Sequence, residues 1–240
     1  SSRRLEDYDT CPLKYRFLHL LSVEPILTRD HRVNFGHAMH QAVAYALDMR
    51  RRGDVPDAAQ VARVFHANWR NEGYRSEEHA RRRFEQGLSA IRSFLETERD
   101  APPPTDVERD FRVKWGDVIL VGRMDRVDEG PDGTSVIDYK TSELDDDSKA
   151  DERARDSLQL RVYALAHRDL TGRAPERVEL RYVLTGARGA ASPTEAMLAR
   201  TREKIEGIAE GIRAGRFDAR PSEHSCSICA CRPICKESAV

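Results

Sequence analysis

Long apolar runs are missing from this 240-residue chain. No stretch approaches the ~18 uninterrupted apolar residues that a membrane-spanning helix needs. The opening residues, SSRRLEDYDT, have no apolar core of the kind a secretory signal carries, so export is not expected and a cytoplasmic protein is. An initiator methionine is also missing, and the expectation is a processed product or a fragment of something longer. A G-x-x-x-x-G-K-[ST] phosphate loop is absent, so the chain is not itself an ATP motor. Repeats and low-complexity tracts are absent too, which sets aside solenoids and arrays. Five cysteines make an odd count in a chain without an export signal, which argues against a disulfide framework.

What is present is a charge-rich globular composition: 39% hydrophobic residues, 34% charged, and a formal net charge of −1. Apolar residues recur with clear periodicity, and the length is enough to bury a proper core. The near-neutral charge hides a partition. Residues 1–100 carry 17 basic against 15 acidic side chains, residues 101–152 carry 7 against 15, and residues 153–240 carry 16 against 11. An acidic middle between basic flanks suits carboxylates that hold cations beside surfaces that meet a polyanion, and equally suits an unevenly charged solvated surface.

The first hundred residues read as helical. Helices are expected at about 4–21 with a fresh start at Pro12, at 34–52 on a stripe of Phe35, Met39, Val43, Ala46 and Leu47, and at 57–71 and 76–99. Ala101-Pro102-Pro103-Pro104 stops helix formation. Strands follow at 106–114, 117–128 and 134–140, with turns at Trp115-Gly116-Asp117 and Glu129–Gly133. A helix at 153–170, a strand at 177–184 and a helix at 193–214 complete an α/β fold with a helical region in front.

The chemistry concentrates in the strands. Asp125 falls in Gly122-Arg123-Met124-Asp125, and Asp138 and Lys140 fall in Ile137-Asp138-Tyr139-Lys140. Side chains two apart on a strand share a face, and an antiparallel neighbour can bring Asp125 beside that pair. Two carboxylates and an ammonium make a hard-cation site with an adjacent cation. Phosphodiester hydrolysis needs those parts, a metal to polarise the phosphate and activate water and a cation to balance developing charge. The plainer alternative is cross-strand ion pairing with Arg123, Arg126 and Lys140. His40, with His37 three residues earlier, is either a ligand or a structural helix residue. Gln159 and Tyr163 share a helical face, where they either support the Asp138–Lys140 strand, meet a phosphate, or simply pack.

Four cysteines, Cys226, Cys229, Cys231 and Cys235, cluster near the C-terminus, and Cys11 lies alone. Cys226-x2-Cys229-x5-Cys235 with Cys11 supplies four thiolates, which structural zinc and iron–sulfur clusters both accept. A cross-link from 11 to 226 would close most of the chain into one loop, worth on the order of 5 kcal/mol by the chain-entropy estimate for cross-links. Arg50–Arg52 and Arg81–Arg83 are either part of a nucleic-acid path or solvated helix faces, and Arg220, Arg232 and Lys236 put positive charge beside the cysteines.

In order, His40, Gly122-x2-Asp125, Asp138-x-Lys140 and Gln159-x3-Tyr163 resemble the RecB-type branch of the PD-(D/E)XK nuclease superfamily. Leu5-x2-Tyr8-x2-Cys11-Pro12-x2-Tyr15 and the terminal cysteines extend the resemblance over nearly the whole chain. It is similar to the nuclease domains of bacterial helicase–nucleases of the AddB and AdnA/AdnB kind, and to stand-alone CRISPR-adaptation exonucleases. The resemblance implies a restriction-endonuclease-like core at 105–214, with a small central mixed β-sheet flanked by helices. The helical region (1–100) and a cysteine clasp (220–240) belong to the same single domain, 1–240. It implies that His40, Asp125, Asp138 and the Tyr139 carbonyl ligate Mg2+ or Mn2+, that Lys140 positions or deprotonates the attacking water, and that Gln159 and Tyr163 support the site and approach DNA. It implies a structural [4Fe–4S] cluster on Cys11, Cys226, Cys229 and Cys235, with Cys231 free. The expected activity is a nucleoid-associated DNA exonuclease or end-processing nuclease, with single-stranded DNA or duplex ends as its partner and single-stranded DNA as the expected substrate, in repair or recombination, working with a helicase in cis or in trans. The alternative is a catalytically idle DNA-binding module. Glu108 matches a glutamate often seen at its place. Two departures stand out: Met124 occupies the superfamily's proline position, and aspartate replaces glutamate before x-Lys140.

Overall fold

The computed structural model describes residues 1–23, 31–144 and 146–240. α1 (Ser2–Thr10) and α2 (Pro12–Tyr15) are parted at Cys11, whose extended backbone breaks the helix just before Pro12 restarts it. α3 (His31–Arg51) buries Phe35, Ala38, Met39, Ala42, Val43, Ala46 and Leu47, the 3–4 spacing of one helical face. The Asp57 carboxylate accepts from the Gln60 N–H to cap α4 (Ala58–Ala67), and Ser76 caps α5 (Glu77–Glu98) through the His79 N–H. The proline run then turns the chain into the sheet.

The sheet has five strands in the order β1 (Asp106–Trp115), β2 (Val118–Gly130), β3 (Gly133–Lys140), β4 (Arg177–Tyr182) and β5 (Arg188–Ala191). Every neighbouring pair is antiparallel except β3–β4, which is parallel and joined through α6 (Ala150–Asp156) and α7 (Leu158–Thr171). α8 (Glu195–Arg213) and the short α9 (Glu223–Ser227) follow. One apolar core fills the space where β1–β4 meet α7 and α8, and includes Phe111, Val136, Leu160 and Leu198. A second joins α3, α4 and α5 to Ile137 and Tyr139. β3 therefore sends alternate residues into two cores, as a central strand covered on both faces must. This is the expected α/β arrangement, a small mixed sheet flanked by helices. Among the described residues, no helix is long and apolar enough to cross a membrane.

Three details differ from the sequence-based expectation. The helix expected at 153–170 is two helices, because Ser157 is extended and its hydroxyl accepts from the Leu160 N–H to cap α7. The strand expected at 177–184 ends at Tyr182, whose carbonyl accepts from Gly186 N–H and whose N–H donates to Ala187. β5 was not foreseen: its Arg-Gly-Ala-Ala run has no apolar alternation. Gly189 lets the α6 backbone approach, since a Cβ there would lie 2.0 Å from the Ala150 carbonyl oxygen.

Candidate active site

The β2–β3 ladder runs from Gly130↔Gly133 to Arg126↔Ile137 and stops one step short of Asp125 and Asp138. Beyond that point the Asp125 carboxylate takes over, its Oδ2 accepting from the Tyr139 N–H at 2.9 Å. The strands part at this end and leave two carboxylates facing the gap. The β1–β2 ladder likewise omits the Glu108–Asp125 position, and Glu108 has φ = 51°. A non-glycine residue in the left-handed region inside a strand is strained, the kind of strain that collects at functional sites.

His40 is brought in from α3, its Nδ1 lying 3.5 Å from Asp125 Oδ2. His37 is exposed and does not share that contact. Lys140 Nζ lies 2.8 Å from Asp138 Oδ2 and donates to Gln159 Oε1 at 2.7 Å, while Gln159 Nε2 donates to Tyr163 Oη at 2.7 Å. The α7 pair thus orients the ammonium. Asp138 is 1% exposed, and its Oδ2 has no partner in hydrogen-bond geometry, the Lys140 contact being an ion pair by distance alone.

The electrostatics follow from burial. Desolvation and then the neighbouring Asp138 charge push the Asp125 carboxyl far above the ordinary carboxylate range, to about 8. Burial holds the His40 imidazole below its ordinary value and so neutral, the form that ligates metals. Burial works to lower Lys140, but Asp138 and then Asp125 outweigh it, and the ammonium stays charged. Burial, then Asp138 and Asp125, keep the Tyr163 hydroxyl protonated.

Two crowded carboxylates and a neutral imidazole suit a divalent cation in donor chemistry. The side chains alone are not a finished cage, since among the described residues no three His, Cys, Asp or Glu groups form a ready metal site.

Sequence reasoning missed two contributors. The Glu6 carboxyl on α1 is raised by burial and acted on in turn by Lys140, Asp7 and Asp138, so it borders the site. Nothing in its local pattern relates it to residue 138. Behind β3, buried Arg126 donates to Glu98 Oε2 at 2.6 Å, to Asp128 Oδ1 at 2.7 Å and to Tyr139 Oη at 3.2 Å. Tyr139 is thereby held from both faces of the sheet. Arg50 is occupied with the Arg99 and Ala101 carbonyls at the end of α5, and Arg51 and Arg52 pair with Asp48. Arg83 reaches Glu143 at 3.2 Å, and Arg81 and Arg82 are exposed.

The cysteines lie beyond the C-terminal end of α1, around one space and, among the described residues, not gathered into a ready metal site. Cys11, Cys226, Cys229, Cys231 and Cys235 line one cavity of about 330 Å3 that also takes in Arg220 and Arg232. None is in a disulfide. The Arg220 N–H donates to Cys11 Sγ at 3.5 Å, and hydrogen bonds from the Ala239 and Ser222 backbones lower Cys226. Amides aimed at sulfur suit thiolates in a cluster. Cys231 is the buried one, and burial, then Cys229, push its thiol up to about 12.

A family model described as the PD-(D/E)XK nuclease superfamily matches residues 1–236. Among solved structures, one titled "Crystal structure of SSO0001" is similar at 17% sequence identity, over 95% of this chain and 96% of that chain, with a TM-score of 0.41. No curated protein matches the chain.

Proposed function

The chain belongs to the PD-(D/E)XK nuclease superfamily, whose members are generally metal-dependent nucleases, and from that premise we propose that it is a metal-dependent deoxyribonuclease processing single-stranded DNA ends. The observation that carries the reading is the meeting of Asp125, Asp138, Lys140 and His40 where β2 and β3 part. Asp125, Asp138, His40 and the Tyr139 carbonyl would hold Mg2+ or Mn2+. That cation, when bound, polarises the scissile phosphate and lowers the pKa of water.

The chain's own groups do the rest. Asp138, sunk beneath the surface, keeps its Oδ2 against the Lys140 ammonium, at 2.8 Å. Lys140, charged and fixed by Gln159, orients the attacking water and balances charge on the phosphate; an ammonium held protonated is a poor base. Tyr163, protonated, anchors Gln159 and leaves Lys140 one preferred direction.

The cysteine cavity would hold a [4Fe–4S] cluster on Cys11, Cys226, Cys229 and Cys235, supported by the five thiols around one space and the amides on two of them. The lack of a phosphate loop and the helicase–nuclease resemblance support work beside a helicase, in the same polypeptide or in a partner.

Cleavage of end-labelled single-stranded DNA by anaerobically purified protein tests the reading. Wild type is expected to cut with Mg2+ or Mn2+, and Asp138→Ala to lose about 100- to 1,000-fold in rate, on the order of one essential electrostatic group. Folded, iron-bearing wild type that binds DNA but cuts none would favour an idle binding module instead.

A further inference from the structure

We infer that the outer face of the β1–β2 hairpin is a second DNA contact, holding backbone phosphates of the substrate strand beside the carboxylate site. The inference rests on the nuclease reading above and adds the surface over which the strand approaches. β2 pairs with β3 only from Arg126 to Gly130, whereas β1 and β2 stay paired out to Trp115↔Val118. From Asp125 back to Val118 the two strands therefore form a two-stranded wing. Its inner face is core, with Phe111, Val113, Trp115, Leu120 and Met124 buried. Its outer face is the other alternate set, in which Asp110 stands opposite Arg123, Arg112 opposite Val121 and Lys114 opposite Ile119. All six are exposed.

Charge and contact choose the occupant. The hairpin lies in the acidic middle of the sequence, yet its outer face is net positive. Arg123 is matched by Asp110 at 2.7 Å and Glu108 at 3.2 Å, while the side chains of Arg112 and Lys114 enter no ion pair among the described residues. Charged side chains alone would be ordinary protection of an edge strand. Ile119 and Val121, 47% and 41% exposed beside them, do not serve that purpose. Free cations for phosphates next to apolar groups for base edges suit a nucleic-acid strand. The face is also continuous with the site. Arg123 reaches Glu108, which stands across from Asp125, between the Val107↔Arg126 and Arg109↔Met124 pairs. At about 3.3 Å per residue, Val121 and Ile119 lie about 13 and 20 Å along β2 from Asp125. A strand with its scissile phosphate at Asp125 therefore meets Arg112 and Lys114 a few nucleotides away.

The salt dependence of binding reads phosphate contacts directly, and fluorescent oligothymidine without added divalent metal separates binding from cleavage. Arg112→Gln with Lys114→Gln is expected to bind on the order of 10-fold more weakly at 0.15 M salt, with a log–log salt slope shallower by about 1.4, the value for two single-strand phosphate contacts. Arg63→Gln with Arg70→Gln, two exposed cations of the helical region, removes the same charge and should leave the slope unchanged. In wild type, bound oligothymidine should shield Lys114 from an amine-reactive label, a readout that needs no variant to fold. An unchanged slope in the Arg112 and Lys114 variant, an equal fall in the Arg63 and Arg70 variant, or an unshielded Lys114 overturns the inference. Loss of polyglutamate binding with DNA binding intact in the Arg112 and Lys114 variant also overturns it, in favour of an acidic protein partner. If Asp138-dependent cleavage persists in any of these cases, the nuclease reading stands. Wild type that binds DNA through this face but cuts none would remove the nuclease reading and leave the DNA contact in place.

Discussion

Glu108 holds a left-handed backbone, φ = 51°, opposite Asp125. A side chain there costs about 1–2 kcal/mol that glycine avoids. Glu108→Gly is therefore expected to be more stable than Glu108→Ala by about 1 kcal/mol, reversing the usual order in a strand. Urea unfolding of the two variants checks it, and an Ala variant equal to or more stable than Gly would show the strain is not real. Asp125 gives the second residue-scale prediction. Its carboxyl in the folded, metal-free protein is raised to about 8, above the ordinary value of 3.8 that the unfolded chain has. The folded state binds the proton more tightly, so stability is greatest at low pH and falls as pH rises through the window from about 4 to about 8. Thermal midpoints of chelator-treated protein should fall across that window in wild type and less in Asp125→Asn, and Mn2+ should restore wild type most at the alkaline end. Matching slopes in the two proteins would contradict the assignment.

At the scale of elements, α5 and the sheet are joined by charge. Arg126 and Glu98 are each 1% exposed, and Arg181 reaches the other Glu98 oxygen at 3.3 Å. Removing one partner of such a pair costs about 3–5 kcal/mol because the other is left charged and buried. Glu98→Gln should lose that much in denaturant unfolding, and Glu98→Leu with Arg126→Met should recover a good part of it; a double variant no better than the single would refute the ion-pair account. This network was not legible in the sequence, since its members lie 28 and 83 residues apart and no local spacing relates them. The buried face of α3 was legible, because Phe35, Met39, Val43 and Leu47 repeat at helical spacing. So was the sharing of one face by Asp138 and Lys140, which two-residue alternation dictates. The parting of the strands that turns Asp125 toward Tyr139 was not, because it depends on where the ladder stops. β5 was hidden for a related reason: small residues at an edge leave no apolar pattern to read.

Over the whole molecule, the first two helices are tied to the last third of the chain. Tyr8 Oη donates to the Arg216 carbonyl at 2.7 Å, Tyr15 stacks on Phe217 with centroids 6.4 Å apart, and Cys11 faces the C-terminal cysteines. A cluster on Cys11 and the C-terminal thiols would lock this closure. Cys11→Ser is then expected to yield colourless, iron-poor protein destabilised by up to about 5 kcal/mol, whereas Cys231→Ser keeps its iron and brown colour. Zinc in place of iron, or iron retained without Cys11, would contradict the proposed ligands. The same α1 carries Glu6 to the edge of the carboxylate site, so the clasp and the candidate active site share an element. The central proposal is that Asp125, Asp138 and His40 hold the divalent ion, and Mn2+ binding followed by electron paramagnetic resonance on Lys140→Met tests it most directly, because that variant keeps the proposed ligands while removing the ammonium beside them. One bound Mn2+ that is lost when Asp138→Asn is added is the predicted result; equal Mn2+ binding with and without Asp138 would place the metal elsewhere and contradict the account.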